Sequence, residues 1–198
     1  MKNEQVIGRN YVETVRSRRS VRQYLQKPID SEDRQILIEA LLRAPSSRNL
    51  QPWEFIVVDD QTLLQQLSRA KEHGSQFLSK AALGIVVYAD SRKSDVWIED
   101  CSIAAFLVHL TAHALGLGSC WIQIRKRNHS ETITAECYVR KILGIPRHMK
   151  VEAIVSIGHP AEQKKPVPAH ALRYDRVWLN GYGDVYDAAM ECEKNRAE

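Results

Sequence analysis

Residues 44–53 read APSSRNLQPW, directly after the apolar run ILIEALLRA and just before EFIVV. Two prolines, two serines, an arginine, an asparagine and a glutamine crowd a short connection between two pieces of core. Proline fixes φ and removes a donor, while serine and asparagine bond locally in turns, so the stretch stops a helix and starts a strand. A plain helix-to-strand turn is one reading. The other is a loop that grips something polar.

The surrounding pattern alternates. A first helix is expected around residues 9–17, then a short extended piece, SVRQY, ended by Pro28. Asp30 or Ser31 can cap a helix running to about Ala44. Beyond the loop, WEFIVVDD reads as a strand and QTLLQQLSRAKEH as an amphipathic helix stopped by Gly74. LGIVVYAD is a second, buried strand. Asp100 to Leu115 is a long helix ended by Gly116 and Gly118, and SCWIQIR is a third strand. Residues 131–143 are helical, and VEAIVSIG is a fourth strand. The remainder, opening on KKPVPAH, reads as an arm suited to exchange with a partner subunit, against the plainer reading of a disordered tail. The 100–115 helix is apolar on almost all sides, from Ile103 through Phe106 and Val108 to Leu115. Such a helix must be covered all round. A partner helix across a dimer interface would do this, as would a central position in a monomer.

A chain of 198 residues suits one domain with a full core, with or without an extension. The formal charge is +4, much of it in Arg16, Arg18, Arg19 and Arg22, with a second cluster at Arg125, Lys126 and Arg127. That leaves room for an anionic partner, and nucleic acid is the first rival reading. Cys101, Cys120, Cys137 and Cys192 form no CxxC pair, and the opening MKNEQVIGRN lacks the apolar core of an export signal. Reduced thiols in the cytoplasm are therefore expected. The apolar run from Cys101 to Cys120 carries His109 and His113 in its middle, which fits a buried helix better than a membrane span.

Alternating helices and strands would suggest a parallel doubly wound sheet. Such folds usually hold phosphate with a Gly-rich turn, yet neither GxGxxG nor GxxxxGK[ST] is present. Side chains must then do the holding, and RSRRSVR at 16–22 is the obvious supply. Guanidinium groups form forked, charge-assisted bonds to phosphate, and Ser20 adds a hydroxyl. On an extended chain Ser20 and Arg22 share a face. A solvated basic face is the alternative.

Four motifs in order, RRSVRQY, APSSRNLQPWEFIVV, LGLGSCWIQ and SIGHP, resemble the FMN-dependent nitroreductase family over nearly the whole chain. The resemblance implies a single α+β domain over residues 1–198, with a mixed, mostly antiparallel sheet flanked by helices and an extended C-terminal arm from about 165. It further implies a homodimer with FMN at the interface. Arg18, Arg19, Ser20 and Arg22 match the N-terminal FMN motif, with Arg18 and Ser20 at the phosphate and ribityl end and Arg22 nearer the pyrimidine edge. Pro45, Ser46, Ser47 and Asn49 match the loop that reaches FMN from the other subunit. Trp121, Ile122 and Gln123 match the strand beside the ring, and Gly158 and His159 the turn near the flavin. Gln76 stands where many members have an asparagine bonded to the pyrimidine ring. Lys165, Arg173 and Arg176 compete for the C-terminal phosphate contact, with Arg173 favoured.

That family passes electrons from NADH or NADPH through flavin N5 to nitroaromatics, quinones or similar acceptors, and one open flavin face would give ping-pong kinetics. Arg22 is then a candidate charge stabiliser, and no other catalytic side chain is implied. The same fold also serves reductive dehalogenation, flavin breakdown and azoline oxidation. A basic nucleic-acid-binding protein is the remaining class, but no stacking aromatics interleave the arginines. His109 and His113 lie four apart without an HExxH glutamate, so structural histidines are expected and no metal. Trp53 is expected in the core, Trp121 could pack or stack on flavin, and Cys120 reads as a small buried filler.

Overall fold

The computed structural model describes residues 6–186. Cys192 and the far end of the expected arm lie outside the described residues. Four strands form an antiparallel sheet in the order β1-β2-β4-β3. They are β1 (Trp53–Val58), β2 (Leu83–Asp90), β3 (Gly118–Gln123) and β4 (Met149–Gly158), threaded among helices α1 (Val6–Ser17), α2 (Ser31–Leu42), α3 (Gln61–Leu67), α4 (Trp97–Ala114) and α5 (Ala135–Leu143). The parallel sheet suggested by alternation alone does not form. β2 is buried along its whole length and β4 at every position but Lys150, so both read as continuous apolar runs like parallel strands. Among the described residues the parallel part of the expected mixed sheet is one isolated bridge, Ser20 to Ser119.

Alternate residues of β2 feed two cores. Leu83, Ile85, Val87 and Ala89 join Leu37, Leu41, Trp53, Cys101, Ala104, Ala105 and Val108 beneath α2 and α4. Val86 and Tyr88 point the other way, with Leu64, Leu67, Leu78, Val139 and Ile154 beneath α3 and α5. Period-two alternation thus makes one strand the floor of both layers. Opposite β4 the register slips between Val87 and Tyr88: Val87 faces Ala153, Tyr88 faces Val151, and Glu152 is left over as a bulge.

Asp30 caps α2 by accepting from the Asp33 amide at 2.9 Å. Helix α3 stops at Leu67 rather than running to Gly74. The Ser68 carbonyl is taken by Ser75 Oγ at 2.8 Å and the Arg69 carbonyl by His129 Nδ1 at 2.7 Å, so neither remains for a further helical turn. Helix α5 begins at Ala135, where Thr134 caps it, not at 131. Gly144 closes it at φ 68, a left-handed position that favours glycine.

The described residues from Pro166 onward belong to a second compact unit. Its described part is made of short 3₁₀ turns at Ala169–Ala171 and Tyr174–Arg176 and a bridge between Trp178 and Val185. Among the described residues no helix is long and apolar enough to cross a membrane.

Candidate functional site

The arginine segment is stitched to the ends of β3 and β4. Val21 N–H donates to the Ser119 carbonyl at 2.9 Å, and Leu25 N–H to the His159 carbonyl at 2.9 Å. On its other side lies the strip 159–165. Ala161 N–H donates to the Gln23 carbonyl at 2.8 Å, Lys164 Nζ to the Ser20 carbonyl at 2.8 Å, and the Arg19 guanidinium to the Lys165 carbonyl. Glu162 Oε1 accepts from the amides of Arg22 at 2.6 Å and Gln23 at 3.2 Å. The Arg22 amide holds the Glu162 carboxyl below its ordinary pKa, with help from Lys164.

Two glycines make this docking possible. A Cβ on Gly118 would lie 2.7 Å from Val21 Cγ1, and one on Gly158 would lie 2.9 Å from Tyr24 Cδ1 and 3.2 Å from the Ala82 amide. Tyr24 is the anchor: buried at 7% exposure, its hydroxyl lies 2.7 Å from both the Val21 carbonyl and Ser156 Oγ. Burial pushes its phenol well above the usual pKa. The backbone is therefore fixed while two of its cations are left uncommitted. Neither Arg18 nor Arg22 has a carboxylate partner among the described residues; the Arg22 guanidinium lies 5.8 Å from the Phe77 ring centroid.

The C-terminal end of α4 supports this segment. Ser17 Oγ donates to the Glu13 carbonyl at 2.5 Å, so it accepts from His113 Nε2 at 2.8 Å. His109 Nδ1 pairs with Ser119 Oγ at 2.7 Å. Burial, reinforced by the nearby Arg18 charge, lowers the His109 pKa to about 4 and pulls His113 down as well. Neutral histidines on serine partners hold the arginine segment. Among the described residues no group of three or more His, Cys, Asp or Glu side chains could hold a metal ion.

At the other end of α4 sits the 44–53 loop. It makes a 3₁₀ turn at Ser47–Asn49, and Arg48, Asn49 and Gln51 take left-handed φ values of 51, 54 and 45. Each such non-glycine residue costs about 1 kcal/mol. The loop is held by Ser46 Oγ, which accepts from Gln51 N–H at 2.9 Å, and above all by Asp100. That carboxylate, 2% exposed, accepts from Ser47 N–H at 2.8 Å and Ser94 Oγ at 3.0 Å. Arg48 pairs with Asp95 at 2.7 Å. Pro45 and Asn49 stay exposed; the Asn49 backbone N–H donates to the Ser46 carbonyl at 3.1 Å, and its side-chain amide has no hydrogen-bond partner among the described residues. Sequence reasoning missed Asp100 and Glu162. A buried acid opening an apolar helix was the available signal for the first; nothing local marked the second.

The sequence-derived residues therefore divide into two groups. Arg18, Arg19, Ser20, Arg22, Gly158 and His159 come together at one end of α4; Pro45, Ser46, Ser47 and Asn49 gather at the other. His113 follows Asp100 by thirteen residues, roughly 20 Å along the helix axis. Trp121, Ile122 and Gln123 run between on β3, with Ile122 buried in the core and Trp121 Nε1 donating to Gln123 Oε1 at 2.9 Å. Gln123 Nε2 also donates to Glu152 Oε1 at 3.2 Å, and burial raises the Glu152 pKa. Gln76 spends its amide on its own loop, accepting from Gly74 N–H at 2.8 Å and donating to the Glu72 carbonyl at 2.9 Å. Arg173 forms a forked pair with Asp175 at 2.6 and 2.7 Å within the C-terminal unit. Trp53 is buried in the core, and Cys120 is a buried free thiol.

Comparison with known proteins matches residues 15–74 and 62–159 to the model of the nitroreductase family. An FMN-dependent nitroreductase of Clostridium difficile R20291 superposes with a TM-score of 0.85 at 45% identity, covering 86% of this chain and 99% of that one. A protein of Archaeoglobus fulgidus, provisionally named an NADH dehydrogenase/NAD(P)H nitroreductase, is 40% identical over 152 residues, 75% of this chain and 84% of its own. The FMN reductase [NAD(P)H] of Bacillus subtilis is 26% identical over 214 residues, 93% of this chain and 83% of its own.

Proposed function

The chain belongs to the nitroreductase family, and from that premise we propose that it is an FMN-dependent oxidoreductase of the cytoplasm. It takes electrons from NADH or NADPH and passes them to a nitroaromatic, quinone or related acceptor. The observation that carries this reading is the pinned segment 18–24, whose backbone is locked on both sides while Arg18 and Arg22 keep guanidinium groups without a carboxylate partner among the described residues. Cations held in place in this way suit a phosphate at one end and a polar ring edge at the other. The residues present fit FMN.

Bound FMN supplies hydride transfer at N5, which no side chain here offers. Arg18 and Ser20 would hold its phosphate and ribityl end, while Arg19 braces the 159–165 strip through the Lys165 carbonyl. Arg22 would face the pyrimidine edge, where its charge would offset negative charge that develops on the reduced ring. Trp121 and Gln123 would border the ring, Ile122 only through its backbone because its side chain lies in the core, and Gly158 and His159 form the turn that seats the arginine segment. Gln76 and Arg173 would join only by giving up the partners they hold.

The second half of the site comes from a second copy of the chain. Within one chain Arg18 and Asn49 lie at opposite ends of α4. On that helix Ile103 and Phe106, 44% and 52% exposed, share a face near its midpoint, and Tyr11, Val12 and Val15 of α1 are exposed beside it. A two-fold partner packed antiparallel about Phe106 covers this face and brings the partner's 100-end to the 113-end. Pro45, Ser46, Ser47 and Asn49 then complete the partner's site, and the segment from Pro166 serves as an arm. With FMN held between these residues, donor and acceptor would use one open face in turn, which would give ping-pong kinetics.

An absorption spectrum of the purified protein, with identification of the flavin released on denaturation, tests the reading. FMN bound at one per chain, with parallel initial-rate plots against acceptor, is expected. A protein that takes up no added FMN would overturn it.

A further inference from the structure

The basic cluster Arg125–Arg127 has no part in the site described so far. It lines a cavity of about 400 Å³ together with Trp97, Thr134, Glu136 and Lys150, within the range of small-molecule sites. Among the described residues, four cations and a single carboxylate line this space. Arg125 reaches Glu152 only at 3.9 Å, and Lys150 reaches Glu136 only at 4.0 Å. Lys126 and Arg127 have no carboxylate partner among the described residues.

The wall is built rather than loose. Lys126 is held at φ 56, a strained position for a lysine. The loop behind it is closed by the Asn128–Thr134 bridge and by Ala135 N–H donating to the Arg127 carbonyl at 2.9 Å. Ile124 and Arg125 both donate their amides to the Glu152 carbonyl, at 3.1 and 3.0 Å, so the β4 bulge fixes where the cluster starts. The nine-residue α5 opens on the cavity at Thr134 and Glu136. Trp97 offers an aromatic wall, with the Arg125 guanidinium 5.9 Å from its centroid.

The cluster follows Gln123, the residue placed beside the flavin ring, by only two positions. A dinucleotide whose nicotinamide lies on the ring extends well beyond it, and its adenosine end needs a landing site. We propose that this cavity receives the 2′-phosphorylated adenosine of NADPH, so that the enzyme prefers NADPH to NADH. Arg127 and Lys126 grip the 2′-phosphate dianion, and Trp97 packs against the adenine. The donor preference rests on the flavin reading; binding of the adenosine fragment does not.

Calorimetric titration with adenosine 2′,5′-bisphosphate, 5′-AMP and inorganic phosphate tests the site whether or not flavin is bound. The bisphosphate should bind at least about tenfold more tightly than either of the others, the worth of one charge-assisted contact. Arg127→Ala should remove about tenfold of that affinity, with partial recovery in Arg127→Lys. In steady-state kinetics of the FMN-loaded enzyme, the same substitution should raise the KM for NADPH and collapse the NADPH:NADH ratio of kcat/KM. Three results would overturn the proposal: equal binding of bisphosphate and 5′-AMP, equal binding of bisphosphate and inorganic phosphate, or unchanged bisphosphate affinity in folded Arg127→Ala. A flavin-free protein that still discriminates for the bisphosphate would sink the redox reading and leave this site standing.

Discussion

Gly118→Ala probes how the arginine segment is seated. The added Cβ would meet Val21 Cγ1 at 2.7 Å and Val21 Cβ at 2.8 Å, closer than carbon atoms approach. Val21 cannot swing aside freely, because it is β-branched and its amide is bonded to the Ser119 carbonyl at 2.9 Å. The segment must lift. Overpacking of this kind costs about 1–3 kcal/mol. Restricting the unfolded chain returns about 0.4–1 kcal/mol, since Gly118 is not held at a positive φ. A net loss of about 1–2 kcal/mol in urea unfolding is expected. Arg18 and Arg22 move with the segment, so FMN affinity in a fluorescence titration should fall about tenfold, equivalent to 1.4 kcal/mol. Val21→Gly in the same background removes every clashing atom, and the two changes should couple by about 1 kcal/mol or more. Wild-type FMN affinity in Gly118→Ala, or purely additive losses in the double variant, would refute the docking argument.

Asp100→Asn should loosen the 44–53 loop, since Ser47 N–H loses a charged acceptor and three left-handed residues lose their restraint. Flavin reduction should slow more than global stability falls, which stopped-flow and thermal melting together would reveal; an equal fall in both would make Asp100 a purely structural acid. His109 predicts an acid limb of stability. Its pKa is about 4 in the folded chain against about 6.5 unfolded, so the unfolded state binds the extra proton between those values. Stability should therefore drop as pH falls through that window, by up to about 3 kcal/mol at its lower end. Urea unfolding of His109→Gln across the same range should give a flatter profile, and an unchanged slope would remove His109 from the account.

Much of the fold was legible because the strands carry unambiguous apolar runs: LGIVVYAD matches β2 residue for residue. Strand direction was not legible from pattern, because burial on both faces hides the alternation that marks an antiparallel strand. The end of α3 escaped for a different reason. Ser75 and His129 take the carbonyls of Ser68 and Arg69 from outside the helix, and periodicity carries no trace of that. At the candidate site the arginines and the polar loop stood out as unusual concentrations of donors. What supports them did not. Glu162 acts through backbone amides some 140 positions away in sequence, and Gly118 and Gly158 matter for what they lack, opposite side chains that only the fold brings near.

The central claim is that each flavin site is shared between two chains, and mixing two defective variants tests it most directly. Arg18→Ala and Asn49→Ala homodimers should each be nearly inactive. After joint unfolding and refolding, about half of randomly paired dimers are mixed, and in each of those one site carries both substitutions while the other carries neither. Roughly a quarter of all sites should then regain wild-type activity. No recovery, with heterodimers verified by mass, would place Arg18 and Asn49 in the same site of one chain and contradict the account.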